Sequence, residues 1–316
     1  MDKLNIITMG EVLVELSSTQ SLEYADTLDK NFGGDTLTAA AAAARLGGKV
    51  GYITKIASDA FRDFLVGGLA AEGIDISTIT VNEGYNGIYF VAGCETGKKE
   101  FAYYRKKSAA ASLTEKDIDE EYIKKANIVY ATGITQSLSL SVKEAVFKMF
   151  KTAKENGVTT AYDPNFHPVF WSKEEAKEAF EEIKDYVDII FMNVHSDSLA
   201  LWDIDSYDKL GSIFFDMGIK TVVIKSKENS GYHIYFSGKS AFVPFYSDVK
   251  TDSTGAGDVF NGAFLYEISK GNSPVKAAEI ASVVAGLQVR KIGAIKSIPT
   301  LKEVTAAIRE KNEQQQ

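Results

Sequence analysis

The stretch Thr251-Asp-Ser-Thr-Gly-Ala-Gly-Asp258-Val-Phe-Asn-Gly-Ala-Phe-Leu265 is the most informative part of this chain. Its first half contains small residues and two glycines, which permit tight turns and the close approach of a ligand. From Val259 onward the pattern is apolar and helical, so the stretch predicts a loop that leads into the N-terminus of a helix. Such a place offers unpaired N–H groups and the positive end of the helix dipole, and both favour an anion such as phosphate.

Asp258 lies in the first turn of this predicted helix, and two interpretations of it are open. An aspartate here could simply cap the helix. Alternatively, a carboxylate beside a phosphate site could accept the proton of an incoming hydroxyl while the N–H groups hold the transferring phosphoryl group. We expect the helix dipole and the nearby N–H donors to keep Asp258 ionised.

The longer pattern D-x-T-G-A-G-D-x-F-x-G over residues 252–262 resembles the C-terminal signature of the ribokinase-like (PfkB) carbohydrate kinases. In that family the Gly-Ala-Gly-Asp loop forms an anion hole and the Asp is the catalytic base. The resemblance places these catalytic roles on Gly255, Ala256, Gly257 and Asp258. It also implies a ribokinase-like three-layer α/β/α sandwich as one α/β domain over residues 1–316.

Composition and charge exclude several other classes of protein. The chain has 316 residues, of which 45% are hydrophobic and 25% charged, as is typical of a globular enzyme. The net charge of −8 with no basic block argues against nucleic-acid binding. No apolar segment of 18 residues is present, and the first residues do not resemble a signal peptide, so we predict no membrane span and a cytoplasmic location.

The single cysteine, Cys94, rules out an internal disulfide and fits a reducing compartment. An isolated cysteine of this kind is more often a small packing residue than a reactive thiol. The three histidines and Cys94 show no metal-ligand spacing, so we predict no metal site made by the protein alone.

Strand-like apolar runs alternate with helical segments along most of the chain, which predicts βαβ units and a mainly parallel sheet. The predicted strands of this sheet are residues 5–9, 49–56, 128–131, 158–162, 187–192 and 221–225. The predicted helices are residues 36–46, 59–72, 115–125, 141–156, 174–185, 208–217, 258–269, 274–289 and 301–311. A late hairpin is predicted at residues 232–236 and 241–245.

Two early segments do not fit this alternation. Residues 12–16 alternate as a strand, and residues 88–92 and 100–105 predict a hairpin. We expect them to form a small separate sheet, a lid built from insertions at about 11–33 and 86–108. The lid would cover the carboxyl ends of the parallel strands, where open α/β sheets bind ligands, and exclude water.

Gly33-Gly34-Asp35 precedes a predicted helix and could be a simple turn. It also matches the N-terminal signature of the PfkB family, which implies that the glycine pair lies against the sugar and acts as a hinge for the lid. Asp35 could contact sugar hydroxyls or cap the helix. The family commonly has Asn where this chain has Thr38.

Tyr103-Tyr104-Arg105 offers a second pair of substrate-binding candidates. Strand alternation places Tyr103 and Arg105 on one face, where the guanidinium fork and the phenol could bind a carboxylate. An exposed strand with a solvated Arg is the alternative. The pattern Y-Y-R-x-x-S-A, followed by Gly133-Ile134-Thr135, resembles 2-keto-3-deoxygluconate kinases. This resemblance implies substrate contacts from Tyr89, Tyr103, Arg105 and Ile134.

Two positions depart from the sugar-acid pattern of the family. The motif Asp163-Pro-Asn165-Phe-His167 has His167 where the family has Arg, although Asn165 can still orient phosphate or substrate. A neutral histidine offers less charge than an arginine. Ala294 stands where many sugar-acid kinases have Asp. Both positions are retained as substrate-binding candidates.

The remaining motifs concern the nucleotide. Asn193-Val-His-Ser196 resembles the family pattern N-x-x-E, in which the Glu helps to organise Mg²⁺, but Ser196 replaces that Glu. Residues 225–231 resemble the nucleotide loop of the family. The predicted nucleotide-binding residues are Asn165, Asn193, Lys225, Ser226, Gly231, Thr254, Gly255 and Gly257.

Together these patterns predict Mg²⁺-dependent transfer of the γ-phosphoryl group of ATP to a hydroxyl of a small sugar or sugar acid. The preferred substrate is 2-keto-3-deoxygluconate, which would give its 6-phosphate. A fructokinase or another neutral-sugar kinase is the alternative, and a sugar-sensing protein without turnover is a third reading. Because apolar lid faces are costly to expose, we also expect a homodimer formed through the lids.

Overall fold

The computed structural model of the protein describes residues 3–93, 99–247 and 249–314. The strands are β1 Leu4–Met9, β2 Leu13–Ser18, β3 Asp29–Gly33, β4 Val50–Ile53, β5 Lys55–Ala57, β6 Ile74–Asp75, β7 Thr80–Asn82, β8 Ile88–Gly93, β9 Lys99–Tyr104, β10 Ala126–Thr132, β11 Thr159–Asp163, β12 Ile189–Asn193, β13 Thr221–Ser226, β14 Gly231–Phe236 and β15 Lys239–Pro244. The α-helices are α1 Asp35–Arg45, α2 Arg62–Ala71, α3 Glu120–Ile123, α4 Gly133–Gln136, α5 Leu140–Glu155, α6 Lys173–Ile183, α7 Tyr207–Asp216, α8 Ala256–Ser269, α9 Pro274–Gln288 and α10 Leu301–Gln314.

A large sheet with the order β15-β14-β13-β12-β11-β10-β1-β4-β6 forms the centre of the fold. Its neighbouring strands from β13 through β1 to β6 pair in parallel, and only β14 and β15 pair antiparallel. The predicted mainly parallel α/β sheet with a late hairpin is therefore confirmed. Because the central strands run in parallel, their carboxyl ends meet at one edge of the sheet.

Helices cover both faces of this sheet, as the alternation of side chains along β1 illustrates. Ile6 faces a core built with α1, α8 and α9, whereas Ile7 faces a second core built with α5 and α6. The alanines of α1 keep that helix close to α8, where Gly262 lies so near a carbonyl of α1 that a side chain would overlap it. This close packing brings the N-termini of α1 and α8 together at the carboxyl edge of the sheet.

The strands β3-β2-β8-β9 form a separate four-stranded sheet, which we call the small sheet. Strands β8 and β9 form the predicted hairpin, and β2 pairs in parallel with β8. The segments that build the small sheet come from the two parts of the chain that the sequence assigns to a lid. The tip of the hairpin, with Cys94, lies outside the described residues.

Two local predictions are wrong. Residues 115–125 do not form one helix, because Thr114 caps a 3₁₀ turn and Asp119 starts the short α3 afresh. The predicted strand 49–56 is interrupted at Thr54, and its two halves pair in different sheets. Residues after β12 form a π-helix, Val194–Trp202, which the pattern did not indicate.

Several element ends also differ from the predicted ranges by one to three residues, as expected where helices fray and caps decide the boundary. Helix α10, for example, continues to Gln314 rather than stopping at Lys311. Within the part of the chain that the structure describes, no helix is long and apolar enough to cross a membrane.

Candidate active site

The loop before α8 leads directly into the N-terminus of that helix, as the sequence predicts. Gly255 precedes the first residue of α8 in the left-handed conformation, with φ of 74°. A side chain there would be strained and would also press against Ala294 and Thr38. The Ala256 N–H donates to the Ser253 carbonyl at 3.2 Å, and Gly255, Ala256 and Gly257 all line a cavity in front of the helix.

Asp258, in the first turn of α8, is half-buried and lies near Asp35, the first residue of α1. Burial raises the pKa of Asp258 well above its ordinary value, the charge of Asp35 adds to the rise, and Lys225 opposes it. The expectation that the helix dipole keeps this carboxyl ionised is therefore wrong in direction. A raised pKa brings the group closer to the range in which a carboxylate accepts a proton efficiently.

Two cavities meet at Asp258. The larger one has a volume of about 460 Å³, and the smaller one of about 170 Å³. Asn165, Gly255 and Asp258 line both of them. A group bound in one cavity can therefore reach a group bound in the other across these three residues.

Asn165 holds a strained backbone conformation at this junction, with φ of 40°. Its backbone N–H donates to Asp163 Oδ1 at 2.9 Å, and its Nδ2 donates to Asp35 Oδ2 at 3.4 Å. Strain of this kind persists only where the surroundings impose it, and it is common at functional sites. The contacts fix the Asn165 amide between the two cavities.

The larger cavity combines lysines with apolar surface. Lys225, Lys227 and Lys250 contribute to its lining, while Tyr232 and Phe245 lie among its aromatic residues. Its volume falls in the range of about 300–1,000 Å³ that is common for small-molecule sites. This lining offers charged donors for a polyphosphate and apolar surface for a flat ring.

Lys225 is fixed by a buried polar network. Its Nζ donates to Asp163 Oδ2 at 2.8 Å and to Asn261 Oδ1 at 3.4 Å. Asn261 Nδ2 also donates to Asp163 Oδ2, at 2.7 Å, so all three side chains hold one another. The ammonium therefore stands at a defined position in the wall of the larger cavity.

The smaller cavity has an acidic lining. Glu11, Asp35 and Asp258 all contribute carboxyl groups to it. Asp35 Oδ2 accepts a hydrogen bond from Thr132 Oγ1 at 2.6 Å, and burial raises its pKa. Such a lining supplies many hydrogen-bond acceptors, which suit the hydroxyl groups of a sugar.

Arg105 does not line the smaller cavity. Its Nε lies 2.5 Å from Glu11 Oε1, its Nη2 donates to the Ile134 carbonyl at 3.1 Å, and its guanidinium stacks on Phe170. Only 6% of the Arg105 side chain and 3% of the Glu11 side chain are exposed. The positive charge expected to bind a sugar acid is thus already paired with a carboxylate of the protein.

Aromatic residues of the small sheet close the other side of the smaller cavity. Tyr103 stacks on Tyr89 at 5.9 Å and meets Phe170 edge-on at 4.9 Å. His167 stands beside them, and burial lowers its pKa, with Arg105 nearby adding to the effect. His167 is therefore uncharged at neutral pH and does not restore the charge of the arginine it replaces.

Most of the predicted site residues lie together around the two cavities. Those on the smaller cavity are Gly34, Asp35, Tyr89, Tyr103, Ile134, Asn165, His167, Thr254, Gly255, Asp258 and Ala294. Those on the larger cavity are Asn165, Asn193, Lys225, Ser226, Gly255, Ala256, Gly257 and Asp258. Thr254, predicted for the nucleotide, thus lines the smaller cavity instead.

Gly33 and Gly231 stand outside the lining of both cavities, and local packing explains each. The space that a Gly33 side chain would need is taken by the Tyr89 hydroxyl. Gly231 begins β14, and a side chain there would meet the Phe242 ring. Both glycines make room for neighbouring side chains rather than for a ligand.

Sequence reasoning missed three residues of this region. Glu11 follows β1, and its place at the carboxyl end of a central strand was a usable signal. Asp163 and Asn261 hold Lys225, but their partners are more than 35 residues away along the chain. No local pattern indicates such contacts.

Metal binding by protein side chains alone finds little support here. Among residues 3–93, 99–247 and 249–314, no group of three or more His, Cys, Asp or Glu residues could hold a metal ion. Asp197, next to the Ser196 that replaces the family Glu, is fully buried and accepts hydrogen bonds from the N–H groups of Asn193 and Phe166 at 2.6 and 2.8 Å. The Asp197 carboxylate therefore serves to hold these two backbone N–H groups.

Comparison with known proteins agrees with this architecture. Residues 3–301 match the sequence profile of the pfkB family carbohydrate kinases. The 2-dehydro-3-deoxygluconokinase of Thermoproteus tenax is 28% identical over 306 residues, which cover 95% of this chain and 93% of that protein. Fructokinase-1 of Oryza sativa subsp. japonica is 30% identical over 311 residues, which cover 95% of this chain and 96% of that protein.

A solved structure of a putative ribokinase II from E. coli, in complex with ATP and Mg²⁺, superposes with a TM-score of 0.87. It is 26% identical and covers 98% of this chain and 100% of its own. The fold is accordingly the ribokinase-like α/β fold. The chain belongs to the pfkB family of carbohydrate kinases.

Proposed function

We propose that the protein transfers the γ-phosphoryl group of ATP to a hydroxyl group of a small sugar or sugar acid. The observation that carries this proposal is the meeting of the two cavities at Asn165, Gly255 and Asp258. A phosphoryl donor in the lysine-lined cavity and an acceptor in the acidic cavity would face each other there. Positioning and charge stabilisation are the main requirements of phosphoryl transfer.

Asp258 is the base in this proposal, and it accepts the proton of the attacking hydroxyl. The N–H groups of residues 255–257 stabilise the charge that develops on the transferring phosphoryl group. Lys225, held by Asp163, supplies a fixed positive charge on the donor side. The small sheet acts as the lid and keeps water away from the acceptor.

ATP fits the larger cavity by the chemistry of its lining. The lysines suit the phosphates, and Tyr232, Phe245 and Val289 offer the apolar surface that a base requires. Mg²⁺ would enter with the phosphates, because this ion is usually held by substrate phosphates and few protein groups. Among the residues that the structure describes, no cluster of His, Cys, Asp or Glu side chains could hold the ion without those phosphates.

The first candidate substrate is 2-keto-3-deoxygluconate, which would be converted to its 6-phosphate. The Tyr103-Tyr104-Arg105 motif supports it, and the Thermoproteus tenax relative carries the name of a kinase for this acid. Arg105 could bind the carboxylate of the sugar acid only if Glu11 were neutral, because the Arg105 and Glu11 side chains are paired with each other. Burial raises the pKa of Glu11 to about 7 against the opposing charge of Arg105, so this condition is within reach near neutral pH.

A neutral sugar such as fructose is the second candidate, and the Glu11–Arg105 pair favours it. With Arg105 neutralised and His167 uncharged, the smaller cavity presents carboxylates and phenols to its ligand. An anionic ligand would meet unfavourable charge there. The Oryza sativa relative, a fructokinase, lies at a similar level of identity.

A substrate panel tests both candidates. ADP release would be measured with ATP and Mg²⁺ and with 2-keto-3-deoxygluconate, fructose, ribose, gluconate or no sugar. Turnover with one of the sugars, abolished by Asp258→Asn, is the expected result. Absence of turnover with every sugar, in a protein that still binds one, would refute the kinase proposal and favour a sugar sensor.

We also propose a homodimer formed through the small sheet. On β9, Tyr104 is 66% exposed and Phe101, on the opposite face towards the smaller cavity, is 43% exposed, so both faces of the small sheet leave apolar surface uncovered, which is costly. Light scattering at micromolar concentration should give the mass of two chains. A monomeric mass would contradict this arrangement.

A further inference from the structure

Lys99, the first residue of β9, links the small sheet to the loop before α8. Its Nζ lies 2.5 Å from Asp252 Oδ1 and donates to Thr254 Oγ1 at 2.6 Å. About 36% of the Lys99 side chain and 4% of the Asp252 side chain are exposed. A side chain of the predicted lid therefore reaches the residue that directly precedes Gly255.

Asp252 organises that loop. Its Oδ1 also accepts the N–H group of Thr254 at 2.9 Å, and its Oδ2 accepts the N–H group of Gly293 at 3.0 Å. Burial alone would raise the pKa of Asp252, but Lys99 and the two N–H groups lower it to about 2. The carboxylate is thus ionised at neutral pH and holds Lys99 and the loop backbone at once.

The same hairpin carries two walls of the smaller cavity. Tyr103 lies on β9 with Lys99, and Tyr89 lies on the paired strand β8. A movement of β9 away from Asp252 would therefore displace the aromatic wall and release the Thr254 side chain together. The position of the aromatic wall and the order of the loop before Gly255 therefore both depend on the contact between Lys99 and Asp252.

We propose that Lys99 is a positioning residue that holds the small sheet over the smaller cavity and couples this closure to the order of the loop at residues 252–257. This inference rests on the proposed function for its kinetic consequence, because Lys99 acts on sugar and phosphoryl group only through the residues it holds. The physical linkage between the two segments can be measured without any turnover.

The first experiment is hydrogen–deuterium exchange on the full chain, comparing the wild type with Lys99→Met and Lys99→Arg. Methionine keeps most of the aliphatic stem and removes the charge, whereas arginine keeps the charge. Lys106→Met is the matched control, since Lys106 is an exposed lysine close to the same hairpin. Exchange should accelerate in both β9 and residues 252–258 in Lys99→Met, and in neither segment in the control.

The second experiment measures the KM of the accepted sugar at low and at high NaCl concentration. Lys99→Met should raise KM about three- to tenfold, as expected for a charge-assisted hydrogen bond that is partly open to solvent. Wild-type KM should rise with salt, the variant should lose this dependence, and Lys99→Arg should restore most of it. A purely structural role would not produce a salt dependence that the charge-keeping variant recovers.

The outcomes separate this inference from the proposed function. Acceleration confined to β9, or no change in residues 252–258, would overturn the coupling even if the protein is an active kinase. Coupled exchange in a protein without turnover would support the linkage while refuting the kinase proposal. A KM and a salt dependence that are both unchanged in Lys99→Met would overturn the role of Lys99 in holding the small sheet over the sugar.

Discussion

Substitution of Glu11 by Gln should change which sugars the protein accepts. Glu11 and Arg105 form a buried pair, with Nε and Oε1 2.5 Å apart. Gln keeps the shape of the side chain but removes its charge, which leaves the Arg105 guanidinium, behind the wall of the smaller cavity, without a counterion. A sugar carboxylate bound nearby could supply the missing charge, whereas a neutral sugar could not.

The size of the effect follows from the burial of the pair. Removing one partner of a buried, hydrogen-bonded charge pair costs about 2–5 kcal/mol, much of it from the remaining unpaired charge. If a sugar carboxylate recovers about 2 kcal/mol of this, the ratio of kcat/KM for acid over neutral sugar in Glu11→Gln is about 30 times that of a wild type whose Glu11 is fully ionised. The kcat/KM for neutral sugars should not rise, because a neutral sugar has no charge to pair with Arg105.

Burial raises the pKa of Glu11 to about 7, so the wild type should show a related pH dependence. Below pH 7 Glu11 is protonated and Arg105 is left to attract an anion, whereas above pH 7 the ionised Glu11 competes with the anion. The sugar acid itself stays ionised throughout this range. The acid-to-neutral ratio should therefore fall by up to about tenfold from pH 6 to pH 8 in the wild type, and stay flat in Glu11→Gln.

The assay is coupled ADP release with 2-keto-3-deoxygluconate and fructose at pH 6, 7 and 8. Glu83→Gln serves as the control, because Glu83 is an exposed carboxylate and its loss changes the net charge equally. A flat wild-type ratio together with an unchanged ratio in Glu11→Gln would show that Glu11 does not control the charge of Arg105.

The remaining predictions concern the base, the donor side and the helix packing. Asp258→Asn should lower kcat by about 10²–10⁴ while the sugar Kd by calorimetry stays within about threefold, and a loss confined to Kd would contradict its role as a base. Lys225→Met strands the buried carboxylate that it pairs with and should cost about 3–5 kcal/mol of unfolding free energy in urea, whereas the exposed Lys227→Met should cost less than about 0.5 kcal/mol. Gly262→Ala should destabilise by at least about 2 kcal/mol because its methyl group would overlap a carbonyl of α1, while Gly67→Ala, in open space on α2, should stabilise by about 0.5–1 kcal/mol. Equal urea midpoints for the two glycine variants would contradict the packing argument.

Local pattern was sufficient for the elements that carry the chemistry. The loop and first turn at residues 251–265 could be recognised because glycines, small residues and an apolar helical period follow one another in a short stretch. The alternation of strands and helices predicted the parallel sheet, and a parallel sheet places the ends of its central strands at one edge. Asn165, Asn193 and Lys225 could be assigned to that edge for this reason.

Long-range contacts decided what those residues do together. Nothing near Arg105 in the chain indicates that Glu11, 94 positions earlier, neutralises it, and this pairing arises only when the small sheet folds over β1. The raised pKa of Asp258 likewise depends on burial and on Asp35, which the packing of α1 against α8 brings close. A sequence pattern shows the charge and the secondary-structure propensity of each residue, but it does not show how far folding removes a side chain from water.

The sequence by itself determined the family, the parallel α/β architecture and the candidate base, because each depends on residues close together in the chain. Only the tertiary structure decided that Lys99 reaches Asp252, that Gly231 packs under Phe242 rather than lining a cavity, and that the sugar side is acidic. The physical reason is that charge pairing, burial and close packing are properties of side chains brought together from distant positions.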